Sequence, residues 1–142
     1  MLISTKGRYA LRFMIDLAEH EQDGYVRLKD IAARQQISEK YLEAIVKALG
    51  KQKMIVALRG KGGGYRLAKA ADAYPVKTIL ECMEGSLTPV ACLEKGSLPC
   101  ERRQQCRTLS LWEGLDTVIS DYLARFTLAD LAKPAEMEAR KS

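Results

Sequence analysis

Apolar residues recur at Tyr9, Ala10, Phe13, Met14, Leu17 and Ala18. That spacing predicts a helix with one buried stripe, and Ser4 stands where its N-cap belongs. Asp23-Gly24 breaks the run. Leu28, Ile31 and Ala32 predict a short second helix, and Gln35, Gln36 and Ile37 a tight connection after it. Ser38 then caps a third helix with Tyr41, Leu42, Ile45, Val46 and Leu49 on one face and Gly50 at its end. Residues 54–58 and 65–67 read as two strands around Arg59-Gly-Lys-Gly-Gly-Gly64, a turn whose glycines permit positive φ and close backbone approach. Pro75 opens a fourth helix with Val76, Ile79, Leu80 and Met83 facing inward. Residues 85–107 are irregular. From Leu109 a broad apolar face follows through Leu111, Trp112, Leu115, Val118, Ile119, Tyr122 and Leu123. Thr127-Leu-Ala-Asp130 resembles a capping box, and the tail from Lys133 is polar and expected to fray.

Helix, short turn, helix with an apolar inner face is the helix-turn-helix pattern. Ile37 is placed to plug the space between the two helices. Ser38, Glu39, Lys40 and Glu43 project from the start of the second, where such a motif reaches base edges in a major groove. The basic glycine-rich hairpin that follows reads as a wing, suited to phosphates or a minor groove. It lacks both a GxGxxG opening a helix and a Lys-Ser/Thr pair, which argues against a nucleotide loop. The expected fold is mainly α: a winged helix-turn-helix with a two-stranded β wing and a long C-terminal dimerisation helix. The expected divisions are 1–84 for the DNA-binding domain, 85–108 for a cysteine-containing loop, 109–133 for the dimerisation and C-terminal helices, and 134–142 for a flexible tail.

Composition narrows the chemistry. The 142 residues are 47% apolar and 29% charged, enough for a packed core. No apolar run is long enough to cross a bilayer and no signal-peptide h-region is visible, so a cytoplasmic address is expected. The one histidine, His20, lies among Glu19, Glu21 and Asp23 and reads as a solvated surface residue. No general base stands beside any cysteine, so an enzyme is not expected, nor a small-molecule substrate. Net charge is +5, unevenly spread. Residues 1–66 hold 13 basic and 7 acidic side chains, and residues 67–142 hold 10 and 11. A basic front half is the footprint of phosphate-backbone binding, although an ordinary solvated basic surface gives the same count.

Cys82 sits among apolar neighbours and reads as a small buried hydrophobe. Cys92, Cys100 and Cys106 share the long loop, with Arg102, Arg103 and Arg107 nearby to favour thiolates. The trio leaves three alternatives open: a metal or cluster, a thiol switch, or neither. No C-x2-C pair supports structural zinc, whereas three thiolates on a loop suit a labile iron–sulfur cluster completed by another group.

Ser4-Thr-Lys-Gly-Arg-Tyr-Ala-Leu-Arg12, Ile37-Ser-Glu-Lys-Tyr-Leu-Glu43, Arg59-Gly-Lys-Gly-Gly-Gly-Tyr-Arg-Leu67 and the three-cysteine loop running into Leu111-Trp112 together resemble the Rrf-two family of bacterial winged-helix transcription regulators. The resemblance covers about residues 1–133. It implies a homodimer on a palindromic double-stranded DNA operator, with a repressor the expected role. DNA contacts are implied at Lys29, Ser38, Glu39, Lys40, Tyr41, Glu43, Lys47, Arg59, Lys61, Gly62, Gly63 and Arg66. In cluster-binding members the loop cysteines hold the cluster, here Cys92, Cys100 and Cys106, as 2Fe–2S or 4Fe–4S. Three departures stand out. Leu109 occupies the place of one branch's histidine ligand. Arg8 lies in the region where another branch uses an aspartate. The first cysteine interval has seven residues where five are usual. Glu94, Glu101, the partner subunit or a small molecule are the options for a fourth ligand. Some members of the family work without the cysteines, which implies an alternative: a cluster-free regulator switched by thiol oxidation or a protein partner.

Overall fold

The computed structural model describes residues 3–97 and 101–133. The expected tail, 134–142, and Cys100 lie outside the described residues. The helices are α1 (Thr5–Glu19), α2 (Leu28–Gln35), α3 (Glu39–Lys51), α4 (Val76–Glu84), α5 (Leu109–Arg125) and α6 (Leu128–Ala132). Strands β1 (Ile55–Leu58) and β2 (Gly64–Leu67) form the hairpin. The mainly α winged architecture expected from the pattern is therefore present.

α1 lies at the centre because its stripe faces several elements at once: it packs on α2, α3, α4, α6 and β2. Phe13, Met14, Ile31, Leu42, Ile45, Leu49 and Ile79 are fully buried in one cluster. Ser4 caps α1 as expected, its Oγ accepting from Gly7 N–H at 3.0 Å. That hydroxyl also donates to Glu84 Oε1 at 2.5 Å, tying the start of α1 to the end of α4. Ile37 is buried between α2 and α3, beside Gln36 in the left-handed region (φ 55°).

Three local expectations are corrected. Tyr41 is 38% exposed and leaves the core face of α3; its ring meets Tyr9 edge-to-face at 5.4 Å. Gly50 does not stop α3. The chain runs on to Gln52, and Lys53 takes the left-handed position (φ 59°). Lys53 N–H then bonds Gly50 O and Met54 N–H bonds Leu49 O, each at 3.0 Å, the paired closing bonds of a Schellman end. A lysine there carries backbone strain of about 1–2 kcal/mol, offset by the buried Leu49 and Met54. His20 is only 26% exposed and caps α1: its Nδ1 lies 2.8 Å from Asp16 O, and since a carbonyl only accepts, that nitrogen carries the proton.

The wing is anchored on both sides. β1 and β2 pair antiparallel, Ile55 opposite Leu67 and Leu58 opposite Gly64. Val26 and Tyr65 exchange two backbone bonds at 2.8 Å, adding a third partner to the hairpin. Gly64 is required there, because a Cβ would run into the Val26 carbonyl and its φ is +155°. At the base, buried Tyr74 donates from its hydroxyl to Met54 O (2.7 Å) and accepts from Ala68 and Lys69 N–H (3.1 and 3.0 Å).

The far end folds back. Thr127 and Asp130 form the expected capping box of α6. Val76 N–H bonds Phe126 O and Leu128 N–H bonds Tyr74 O, which seats Leu128 fully buried in the main cluster. α5, in contrast, buries no residue completely. Leu111, Leu115, Val118 and Tyr122 are 61, 39, 64 and 54% exposed, while Leu123 packs on Val76, Leu80 and Leu87.

Candidate nucleic-acid interface

α3 starts cleanly because Ser38 Oγ accepts from Tyr41 N–H at 3.1 Å. With Leu42, Ile45 and Leu49 turned inward, the opposite side carries Glu39, Glu43 and Lys47 at four-residue spacing, one line along the helix. Ser38, Lys40 and Tyr41 flank that line, and all six side chains are exposed. Tyr41 is not loose: Tyr9 contacts its ring, Arg12 lies 5.2 Å over Tyr9, and Arg12 in turn donates to Gln35 Oε1 (3.3 Å) and to Gln35 O. A stacked chain thus joins α1 and the end of α2 to the exposed start of α3.

A groove of about 600 Å³ separates α3 from the wing. Lys47, Lys51, Arg27 and Arg59 line it, above a floor that includes Leu28, Val46, Ala57 and Leu58. Among the described residues no carboxylate lines it. Lys47 and Arg59 were expected at a DNA surface, and the structure brings them together. Arg27 and Lys51 were missed, since 24 positions separate them in the chain and only the fold makes them neighbours.

The remaining expected residues divide. Lys61 and Gly62 are exposed at the hairpin tip, while Gly63 is buried where a Cβ would meet the Leu58 carbonyl. Arg66 pairs with Val56, alternate in register to the groove residues Ala57 and Tyr65. It stacks over Tyr25 at 4.8 Å, on the other side of the hairpin. Lys29 is exposed on α2 and does not line the groove. A further cation is committed elsewhere: Arg34 donates to both oxygens of buried Asp16 (3.0 and 2.7 Å), and Gln35 Nε2 donates to the same carboxylate at 2.9 Å. The Asp16 carboxylate raises the Arg34 pKa and locks α2 to α1.

Cys92 sits in a 3-10 turn (Ala91–Leu93) and Cys106 just before α5; both are half-exposed free thiols. Cys106 Sγ lies 3.4 Å from Thr108 Oγ1. The Thr108 hydroxyl, then the backbone N–H groups at the start of α5, hold the Cys106 thiol below the usual range, with Arg102 contributing least. Hydrogen bonds at a helix start therefore outweigh the arginines expected to act. A thiol biased toward thiolate is the form that ligates an iron–sulfur cluster. Leu109, the first residue of α5, offers no ligand. Among the described residues no three His, Cys, Asp or Glu side chains converge as a metal-holding group. Cys82 differs: burial pushes its thiol up, and its Sγ faces Ala48 O at 3.8 Å.

A family model described as Rrf2, iron-dependent transcriptional regulator, matches residues 3–134. The chain belongs to the Rrf2 family. This Rrf2 protein is 40% identical over 137 residues to the HTH-type transcriptional regulator IscR of Erwinia tasmaniensis, covering 96% of this chain and 82% of that one. It is 39% identical to IscR of Vibrio campbellii, again over 96% of the chain and 80% of the relative. Among solved structures it is similar to CymR (YrzC), the global cysteine regulator of B. subtilis, with a TM-score of 0.79 and 35% identity over 96% of this chain and 99% of that one. T. potens IscR gives 0.72 and 34% over 99% and 96%. This Rrf2 protein is accordingly a transcriptional regulator of the IscR/CymR type, a class without enzymatic activity. No described helix is long and apolar enough to cross a membrane.

Proposed function

We propose that this Rrf2 protein is a cytoplasmic homodimer that represses transcription from a palindromic operator, with DNA affinity set by an iron–sulfur cluster on the loop between α4 and α5. The observation that carries the DNA reading is the exposed line Glu39, Glu43 and Lys47, with Lys40 beside it, capped by Ser38 and held next to the wing. That is how a recognition helix is offered to a major groove. α5 would join the subunits through Leu111, Leu115, Val118 and Tyr122. Cys92, Cys100 and Cys106 would hold the cluster, and the lowered thiol pKa of Cys106 supports that role. A cluster bound there supplies redox-sensitive crosslinking of the loop. The chain's own part is to bias Cys106 toward thiolate through Thr108 and to place it directly against α5.

The half-exposed Cys106 thiol, with its pKa lowered, also favours a second reading, a cluster-free switch driven by thiol oxidation. The oxidised form of Staphylococcus aureus CymR is a similar structure, with a TM-score of 0.73 and 34% identity. Anaerobic purification separates the two. The first expects a coloured protein with iron and acid-labile sulfide, and duplex affinity that changes when the cluster is lost. A colourless anaerobic protein that still binds duplex, and changes affinity on oxidation of Cys106, establishes the second.

A further inference from the structure

The groove between α3 and the wing is lined by charge of one sign, and a separate groove elsewhere on the surface shows that this is not general. The second groove, about 410 Å³ between α4, the loop and α5, mixes Lys77 and Lys95 with Glu81, Glu94 and Asp116. The first has Arg27, Lys47, Lys51 and Arg59 and, among the described residues, no carboxylate. Each wall comes from a different element: Arg27 just before α2, Lys47 and Lys51 one turn apart on α3, and Arg59 after β1. The rest of the described lining is aliphatic or glycine apart from Tyr65, so it holds no carboxylate that neutralises these cations. Arg27 does meet Asp30 at 3.2 Å, but this is an exposed pair with Arg27 68% exposed, which leaves most of the guanidinium open.

We propose that this groove seats consecutive phosphates of one DNA strand, and that Arg27 and Lys51 are backbone contacts alongside Lys47 and Arg59. The occupant follows from charge and shape. A chain of regularly spaced monoanions matches cations distributed along a groove, whereas a compact anion would need them gathered around one point. Arg66 belongs to a different surface, stacked on Tyr25 across the hairpin, and takes no part in the seat. The inference rests on the DNA-binding reading above.

Salt dependence of duplex binding tests it. Fluorescence anisotropy with a labelled, mixed-sequence duplex of about 30 base pairs, three helical turns, would be followed from 50 to 200 mM salt. Each phosphate contact contributes about 0.9 to the logarithmic salt slope. Arg27→Gln and Lys51→Gln should each lower that slope by about one unit, so the loss of affinity across the range shrinks by roughly threefold per variant. Lys51→Arg should restore the slope. Lys69→Gln, an equal charge change at an exposed position off the groove, should leave it unchanged. All three side chains are changed at exposed positions, and unchanged thermal midpoints confirm folding. Unaltered slopes in both groove variants, or an equal fall in Lys69→Gln, overturn the inference while the DNA-binding reading stands. A wild-type protein with no salt-sensitive duplex binding overturns both.

Discussion

The front and back of this chain solve the burial problem differently. Residues 5–80 close on themselves: α1 supplies a stripe that α2, α3, α4 and the wing cover, and Phe13, Ile31, Leu42, Ile45 and Ile79 reach zero exposure. α5 is longer than any of those helices, at 17 residues, yet none of them is fully buried. Its apolar side chains outnumber what the described residues cover. The front is a finished surface that can afford to display charge, and the back an unfinished one that displays Leu111, Val118 and Tyr122. Exposed apolar area on that scale is what the proposed α5 dimer would cover. The largest expected effect therefore comes from spoiling it. Val118→Glu would place a carboxylate in a dry contact at a cost of several kcal/mol, raising the dimer dissociation constant by about 100-fold or more. Sedimentation should show dimer becoming monomer with unchanged helical circular dichroism. If wild type and variant both sediment as monomers, the proposed α5 dimer is wrong.

The boundary between front and back does not follow chain order. Leu128, beyond α5, is fully buried in the front cluster, held by the Leu128 N–H to Tyr74 O bond at 2.8 Å. Leu128→Ala should cost about 2–5 kcal/mol, the usual range for emptying a buried leucine site. For a chain of this length that lowers the thermal midpoint by roughly 10 °C. A change within about 0.5 kcal/mol, the surface value, would mean that α6 belongs with the open half instead.

Tyr74 ties the same junction to the wing. Replacing it with Phe removes the bonds to Met54 O, Ala68 N–H and Lys69 N–H. Leaving those groups short of partners costs about 1–3 kcal/mol. Burial pushes the Tyr74 phenol up, with the two N–H donors partly opposing. The neutral form is thus favoured in the folded state, and this contribution is whole below the ordinary phenol pKa of about 10. It is lost as pH rises through the raised folded value. Denaturant titrations from pH 8 to 11 should show wild type weakening at the alkaline end and Tyr74→Phe lacking that component. Parallel curves for the two proteins would remove Tyr74 as the cause.

Periodicity made the front legible. Apolar spacing placed α1, α3 and the hairpin, and Ser4, Ser38 and Thr127 were readable as caps because a cap oxygen and the N–H that donates to it lie three residues apart. What escaped the sequence pairs residues that lie far apart in it. Asp16 and Arg34 meet across 18 positions, Val26 and Tyr65 across 39, and Arg27 and Lys51 only through the fold. The α3 stop escaped for another reason: the left-handed residue is Lys53, not a glycine, so Gly50 drew the boundary too early. The site was read more fully than it was ranked. Composition pointed to a basic front half, yet could not separate Lys47 and Arg59, which share the groove, from Arg66 and Arg34, which are held elsewhere.

The smallest effect sharpens the same contrast at the level of single thiols. Cys82 lies against the closed half, and burial raises its pKa, with Lys6 opposing weakly. Cys106 lies at the start of the open half's helix, where the Thr108 hydroxyl and backbone N–H groups lower its pKa. Because the thiolate is the reactive form, alkylation of the reduced, metal-free protein reads both directions. Cys106 should be half-modified at a pH below the ordinary cysteine value of about 8.5, and Cys82 above it. Thr108→Val removes the hydroxyl that does most to lower the Cys106 pKa and should move the Cys106 midpoint up while leaving Cys82 where it was. Coincident midpoints for the two cysteines would mean that the start of α5 does not acidify its neighbouring sulfur, and would remove the support that acidification lends to Cys106 as cluster ligand or oxidation switch.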